Sequence, residues 1–196
     1  RRMGCEGKTP GRFTSLNLEV SPMHMYLRLL FAVFVTAISG SAFAADPTDR
    51  TQALSELSQI FFEDSETYGR ELLDRRTLDY SVESLKLIDE YLESIRKRKD
   101  VEATWNRTVL RAGAYVGEVI RRNDKKVQWR WVDYDGARSV EPEMFDSFGK
   151  SIATAAVLYD GNNGFSFPLA KVEKYLNNGS EDSVYFFAKA IMSGRE

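Results

Sequence analysis

From Trp105 to Asp133 the chain reads WNRTVLRAGAYVGEVIRRNDKKVQWRWVD, and the period of its apolar residues changes inside that stretch. At about 100° per residue, Trp105, Val109, Ala112, Val116 and Ile120 fall on one stripe, with Gly113 beside them. Arg107, Arg111, Glu118 and Arg122 fall on the opposite side, so a helix is expected over residues 102–122. Beyond Asn123 the repeat drops to two: Val127, Trp129 and Trp131 alternate with Gln128 and Arg130, which is the pattern of a strand. Glycine inside a helix costs about 1 kcal/mol against alanine. Gly113 and Gly117, one turn apart, therefore require a reason such as the close approach of another backbone.

Towards the N-terminus, residues 50–73 carry Leu54, Leu57, Ile60, Phe61, Tyr68, Leu72 and Leu73 at helical spacing, with a polar gap at Glu63 to Glu66, giving one helix or two with a break. Ser81 is placed as an N-cap, with Glu83 near the positive end of a helix whose buried stripe is Val82, Leu85, Ile88, Tyr91, Leu92 and Ile95. Arg96 to Lys99 close that helix on its negative end. Towards the C-terminus, Asp133-Tyr134-Asp135-Gly136 predicts a turn, and Ala153 to Tyr159 and Phe165 to Phe167 predict two short strands around the loop Asp160 to Gly164. Leu169 to Leu176 predicts a short helix ended by Asn177-Asn178-Gly179, and Ser180 or Ser183 starts a last one through Tyr185, Phe186, Phe187 and Ile191. N-terminal helices, a small antiparallel β-meander and C-terminal helices make an α+β fold.

Residues 23–44 have the make-up of a secretory signal: Arg28, the apolar run from Leu29 to Ile38, then Ala42-Phe43-Ala44 before an expected cleavage ahead of Ala45. The run is shorter than the ~20 apolar residues that a permanent span needs. Residues 1–22 lack a periodic pattern and are expected to be upstream sequence, with Met23 or Met25 as the start, leaving 45–196 as a single periplasmic or secreted domain with no stable membrane anchor. Cleavage would remove Cys5 and His24, the only cysteine and histidine. Cysteine nucleophiles, Ser-His-Asp triads and His- or Cys-based zinc sites are then closed to the domain. The whole chain carries a net charge of −2, and the leader removes more basic than acidic groups. A moderately acidic domain without a basic stripe argues against nucleic acid and for a protein partner with a basic surface. No cofactor and no metal are expected: Asp133-x-Asp135-Gly136 has Trp131 where a calcium loop puts its first oxygen ligand.

The remaining candidates for chemistry are few. Ser147-x-x-Lys150 has the spacing of a serine–lysine dyad but lacks the companion elements of the penicillin-recognising enzymes. Glu118 either belongs to a salt-linked solvated face with Arg111, Tyr115 and Arg122, or lines a polar pocket between its helix and the meander. Trp129 and Trp131 either stack on a ligand or pack inward beside Val127, and the shared side with Val127 favours the core. Tyr115, Glu118, Arg122, Trp129 and Trp131 are thus the candidate ligand-binding residues, with no catalytic residue assigned. Gly113-Ala114-Tyr115-Val116-Gly117-Glu118, the strand Trp129 to Asp133, and Phe167-Pro168-Leu169-Ala170-Lys171-Val172 occur in an order that resembles a bacterial family of domains of unknown function. The likeness runs over residues 78–192, departs from the pattern at Ser139 to Ser151, and implies a fold rather than an activity. The expected function is that of an exported, non-catalytic envelope protein that binds another protein, of accessory or immunity type. The alternative is a domain that binds or hydrolyses cell-wall material or a small ligand through Glu118 and its aromatic neighbours.

Overall fold

The computed structural model describes residues 47–194; the expected leader and the stretch before it lie outside the described residues. In chain order the elements are α1 (Pro47–Glu63), α2 (Leu85–Arg96), α3 (Trp105–Asn123), β1 (Arg130–Asp133), α4 (Tyr134–Val140), α5 (Pro142–Phe148), β2 (Ala156–Tyr159), β3 (Phe165–Ser166), α6 (Pro168–Asn178) and α7 (Val184–Ser193). Short 3-10 turns stand at Arg70–Leu72, Val101–Thr104 and Ser180–Asp182. This is the α+β order read from the periodicity. The polar gap after Phe62 is the end of α1. Ser81 acts one turn before α2 proper, its Oγ accepting the Ser84 N–H at 3.2 Å. Among the described residues no helix is long and apolar enough to cross a membrane.

The helix α3 is the centre of the molecule. It packs against α1 on one side and α6 on another, so its burial extends well beyond the single apolar stripe: every residue from Ala112 to Ile120 is buried. Gly113 has the close backbone approach that the sequence demanded, whereas Gly117 is approached by side chains. A Cβ on Gly113 would stand 2.8 Å from Leu169 Cα, and one on Gly117 would fall inside the indole of Trp131 while lying 3.1 Å from Pro168 Cγ. The two small residues let the start of α6 and the sheet's largest side chain lie directly on the helix backbone.

The sheet is antiparallel in the order β1-β2-β3. Trp131 pairs with Leu158, which pairs with Ser166, while Val132 pairs with Val157. Alternation therefore sends Trp131 and Leu158 into the main core with α3, and Val132, Val157, Tyr159 and Phe165 into a second cluster on the other face. That second face is covered by α4 and α5 through Tyr134, Ala137 and Phe145, which is why all of β2 is buried. These two helices correct the expected turn at Asp133 to Gly136. Asp133 is the N-cap of α4, its Oδ1 accepting the Gly136 N–H at 2.8 Å. The first turn of a helix and an isolated turn use the same residues. Here the fit of Tyr134 and Ala137 under the sheet carries the turn on into a helix.

The last helix is held by a cap shared across the chain. Ser183 Oγ accepts the Phe186 N–H at 3.2 Å and donates to Asp89 Oδ2 at 2.6 Å, while Asp89 Oδ1 accepts the Val184 N–H at 2.8 Å. Ser183→Ala removes both bonds of the hydroxyl, and we expect it to lower stability by about 1–2 kcal/mol, read as a shift of the urea midpoint at constant slope.

Candidate functional site

Glu118 projects from α3 towards the sheet and has no exposed surface. Its carboxylate accepts from Arg121 Nε and Nη2 at 2.7 and 2.9 Å, from Arg122 Nε at 3.0 Å and from the Trp131 indole N–H at 3.0 Å. Burial alone pushes this carboxyl up, but Arg121, Trp131 and Arg122 outweigh it and hold the group below the ordinary glutamate range. The Arg122 guanidinium lies over the Tyr80 ring, 3.6 Å from its centroid, and reaches Ser55 Oγ at 3.3 Å. Tyr80 stacks in turn on Tyr115, with centroids 4.8 Å apart. The Tyr115 hydroxyl accepts the Tyr80 N–H at 3.1 Å and shares a hydrogen bond of 2.8 Å with Ser84 Oγ. Burial raises that hydroxyl to about 12. Trp129, also buried, donates its indole N–H to Asp124 Oδ2 at 2.9 Å.

The structure therefore brings Tyr115, Glu118, Arg122 and Trp131 into one chain of contacts and leaves Trp129 beside it with a different acid. Two expectations are corrected. Glu118 is not on a solvated face, and Arg111 is not its neighbour: Arg111 pairs with Asp64 at 2.7 Å and Thr67 at 2.9 Å. The polar space between helix and meander is filled by the residues' own partners. An ionised carboxylate with four donors and no exposed surface is poorly placed to take up or deliver a proton. What the arrangement does is fix α3 to the sheet through Trp131 and to α1 through Arg122 and Ser55. Arg121, at i+3 from Glu118, was legible as an ion-pair partner from spacing alone. Tyr80, Ser55 and Ser84 were not, because they arrive from elements far away in sequence.

The other candidates are apart. Ser147 Oγ donates to the Met144 carbonyl at 2.7 Å, and α5 ends before Lys150, whose ammonium pairs with Asp135 at 2.9 Å. Asp133 pairs with Arg50 at 3.2 Å besides capping α4. Three surface depressions are formed by other residues. A cleft of about 490 Å³ lies between α1 and the strand ends, with Leu54, Leu57, Leu110 and Ala155 in its lining and Arg50, Asp133, Asp135 and Lys150 around it. A groove of about 320 Å³ includes Leu72, Leu78, Leu87 and Glu90. A third of about 210 Å³ runs between β3, α6 and α7, walled by Phe165, Phe167, Ala170, Phe187 and Ile191, with Ser166, Lys171 and Lys174. None of the three is lined by Tyr115, Glu118, Arg122, Trp129 or Trp131.

No family model, curated protein or solved structure matches this chain. The likeness to a bacterial domain family rests on the residues that suggested it.

Proposed function

We propose that this is an exported, non-catalytic protein of the cell envelope that acts by binding another protein, as an accessory or immunity factor. The observation that carries the reading is an apolar strip left uncovered on the surface. Phe148 is 53% exposed and meets Phe167 edge-on with centroids 5.6 Å apart, and Phe167 opens into the groove whose far wall is Phe187 and Ile191. Aromatic side chains beside an apolar depression are the usual anchors of protein interfaces. The saturation of Glu118 supports the same reading, since it occupies the one buried acid on which the catalytic alternative depended. Phe148→Glu tests it. In a pull-down from envelope extract the native protein should retain a partner that the variant loses at least about tenfold, with the melting temperature within the small change usual for surface positions. If the native protein enriches no partner above background, the proposal fails.

A second reading, binding of a small ligand, is favoured by the cleft at Arg50 and Lys150, whose size is that of small-molecule sites in general. Titration with soluble cell-wall fragments should then raise the melting temperature and Leu110→Trp should abolish the rise; no shift in the native protein removes this reading.

A further inference from the structure

The protein-binding proposal leaves open what the partner presents, and the groove between β3, α6 and α7 narrows it. Its walls are apolar, yet the charged side chains in its lining are Lys171 and Lys174, with no carboxylate among them. Lys171 is engaged with Asp182 at 2.6 Å, whereas Lys174 is exposed and acts on Asp182 only through its charge, without an ion-pair contact among the described residues. A second, independent feature is polar. Ser166 is 2% exposed, belongs to the same lining, and its hydroxyl has no hydrogen-bond partner among the described residues. A buried hydroxyl without a partner is unfavourable in the free protein, which leaves an unmet donor at a residue of the groove's lining. The space of about 210 Å³ is below the usual range for a whole small-molecule ligand and suits a single large side chain.

We infer that this groove seats one apolar side chain of a partner polypeptide, flanked by acidic residues that meet Lys174. The inference rests on the protein-binding reading and sharpens it. The acidic excess of the domain acts at long range and favours a basic partner. Within a Debye length of about 8 Å the groove's own lysines decide which segment docks, so a partner that is basic overall would dock here through an acidic stretch.

Two synthetic peptides test this: one with a central phenylalanine flanked on both sides by aspartates, and a matched one flanked by lysines, each titrated into the full chain by fluorescence anisotropy. The aspartate peptide should bind about tenfold more tightly at low salt, and the preference should shrink as salt is raised. Lys174→Glu should abolish or reverse the preference. Ser166→Ala should weaken the aspartate peptide about threefold while leaving the melting temperature unchanged or higher, a pair of signs that a merely structural serine would not give. Equal binding of the two peptides, tighter binding of the lysine peptide, or no binding of either overturns the inference. A self-associated form that Lys174→Glu dissociates, without peptide binding, would assign the groove to a second copy of the chain and overturn it equally. If the partner captured by pull-down is retained by Lys174→Glu while Phe148→Glu loses it, protein binding stands and the groove's role falls; if no partner is captured at all, the broader proposal is what fails.

Discussion

Gly117→Ala should lower stability by about 3 kcal/mol, with a melting temperature depressed by about 6–12 °C for a domain of this size. Helix propensity alone predicts the opposite sign, a gain of about 1 kcal/mol for alanine over glycine inside α3, so the measurement separates the two effects cleanly. The added methyl would fall inside the ring of Trp131, at Cζ2 and Cη2. Ordinary carbon contacts lie at about 3.5–4.0 Å, so the indole has to withdraw. The indole is fully buried, and any withdrawal lengthens its 3.0 Å hydrogen bond to Glu118. Overpacking of about 1–3 kcal/mol and the loss of a buried bond to a charged acceptor, about 1.5–3 kcal/mol, both oppose the propensity gain. Trp131→Phe removes the atoms that clash, so the double variant should be less destabilised than the sum of the singles. A Gly117→Ala protein as stable as the native one would show that the sheet does not lie on α3 as described.

Glu118→Gln should cost about 2–3 kcal/mol. Breaking a buried ion pair by removing one partner ordinarily costs about 3–5 kcal/mol, but Arg121 and Arg122 are 28% and 34% exposed, so water recovers part of what they lose. The amide also turns a donor towards two guanidinium groups. The pH dependence follows from the same carboxylate. Its native pKa lies below the ordinary value of 4.5, so around that pH the group binds fewer protons in the folded state than in the unfolded one. Its contribution is therefore complete above about pH 4.5 and is lost as pH falls through the depressed native value. Acid denaturation of Glu118→Gln should accordingly be flatter below pH 4.5 than that of the native protein. Partner capture per folded molecule should be unchanged. A variant that keeps its stability but loses binding or turnover would return Glu118 to the role of a functional acid and overturn the reading of it as a structural bond.

Much of the scaffold was legible because the signals that set it are local. The change from helical to strand period after Asn123, the two glycines of α3, and a cap at Ser180 or Ser183 are each signalled by residues within a turn or two of one another, although β1 begins only at Arg130 and the cap that forms, at Ser183, also takes in the distant Asp89. The candidate site was legible only in part. Glu118, Arg122 and Trp131 do meet in space, but the side of α3 that carries arginines was expected to face water. The arginines stay partly exposed while the glutamate beneath them is buried, a division that angular position on a helix does not reveal. Phe148 drew notice only as a spacer between Ser147 and Lys150, and its contact with Phe167 joins elements separated by the whole of β2 and β3.

The amino-acid sequence by itself determined the long helices at either end and the order of the strands, that they assemble in an α+β order, and that α3 must meet other chain closely at Gly113 and Gly117, because backbone preference and apolar periodicity act between near neighbours. Only the tertiary structure decided that α3 is enclosed on nearly all sides, that the stretch after Asp133 continues into helices covering the second face of the sheet, and that an apolar groove with lysines in its lining stays open. Burial and unpaired surface are properties of what packs against a residue, and those neighbours come from distant parts of the chain.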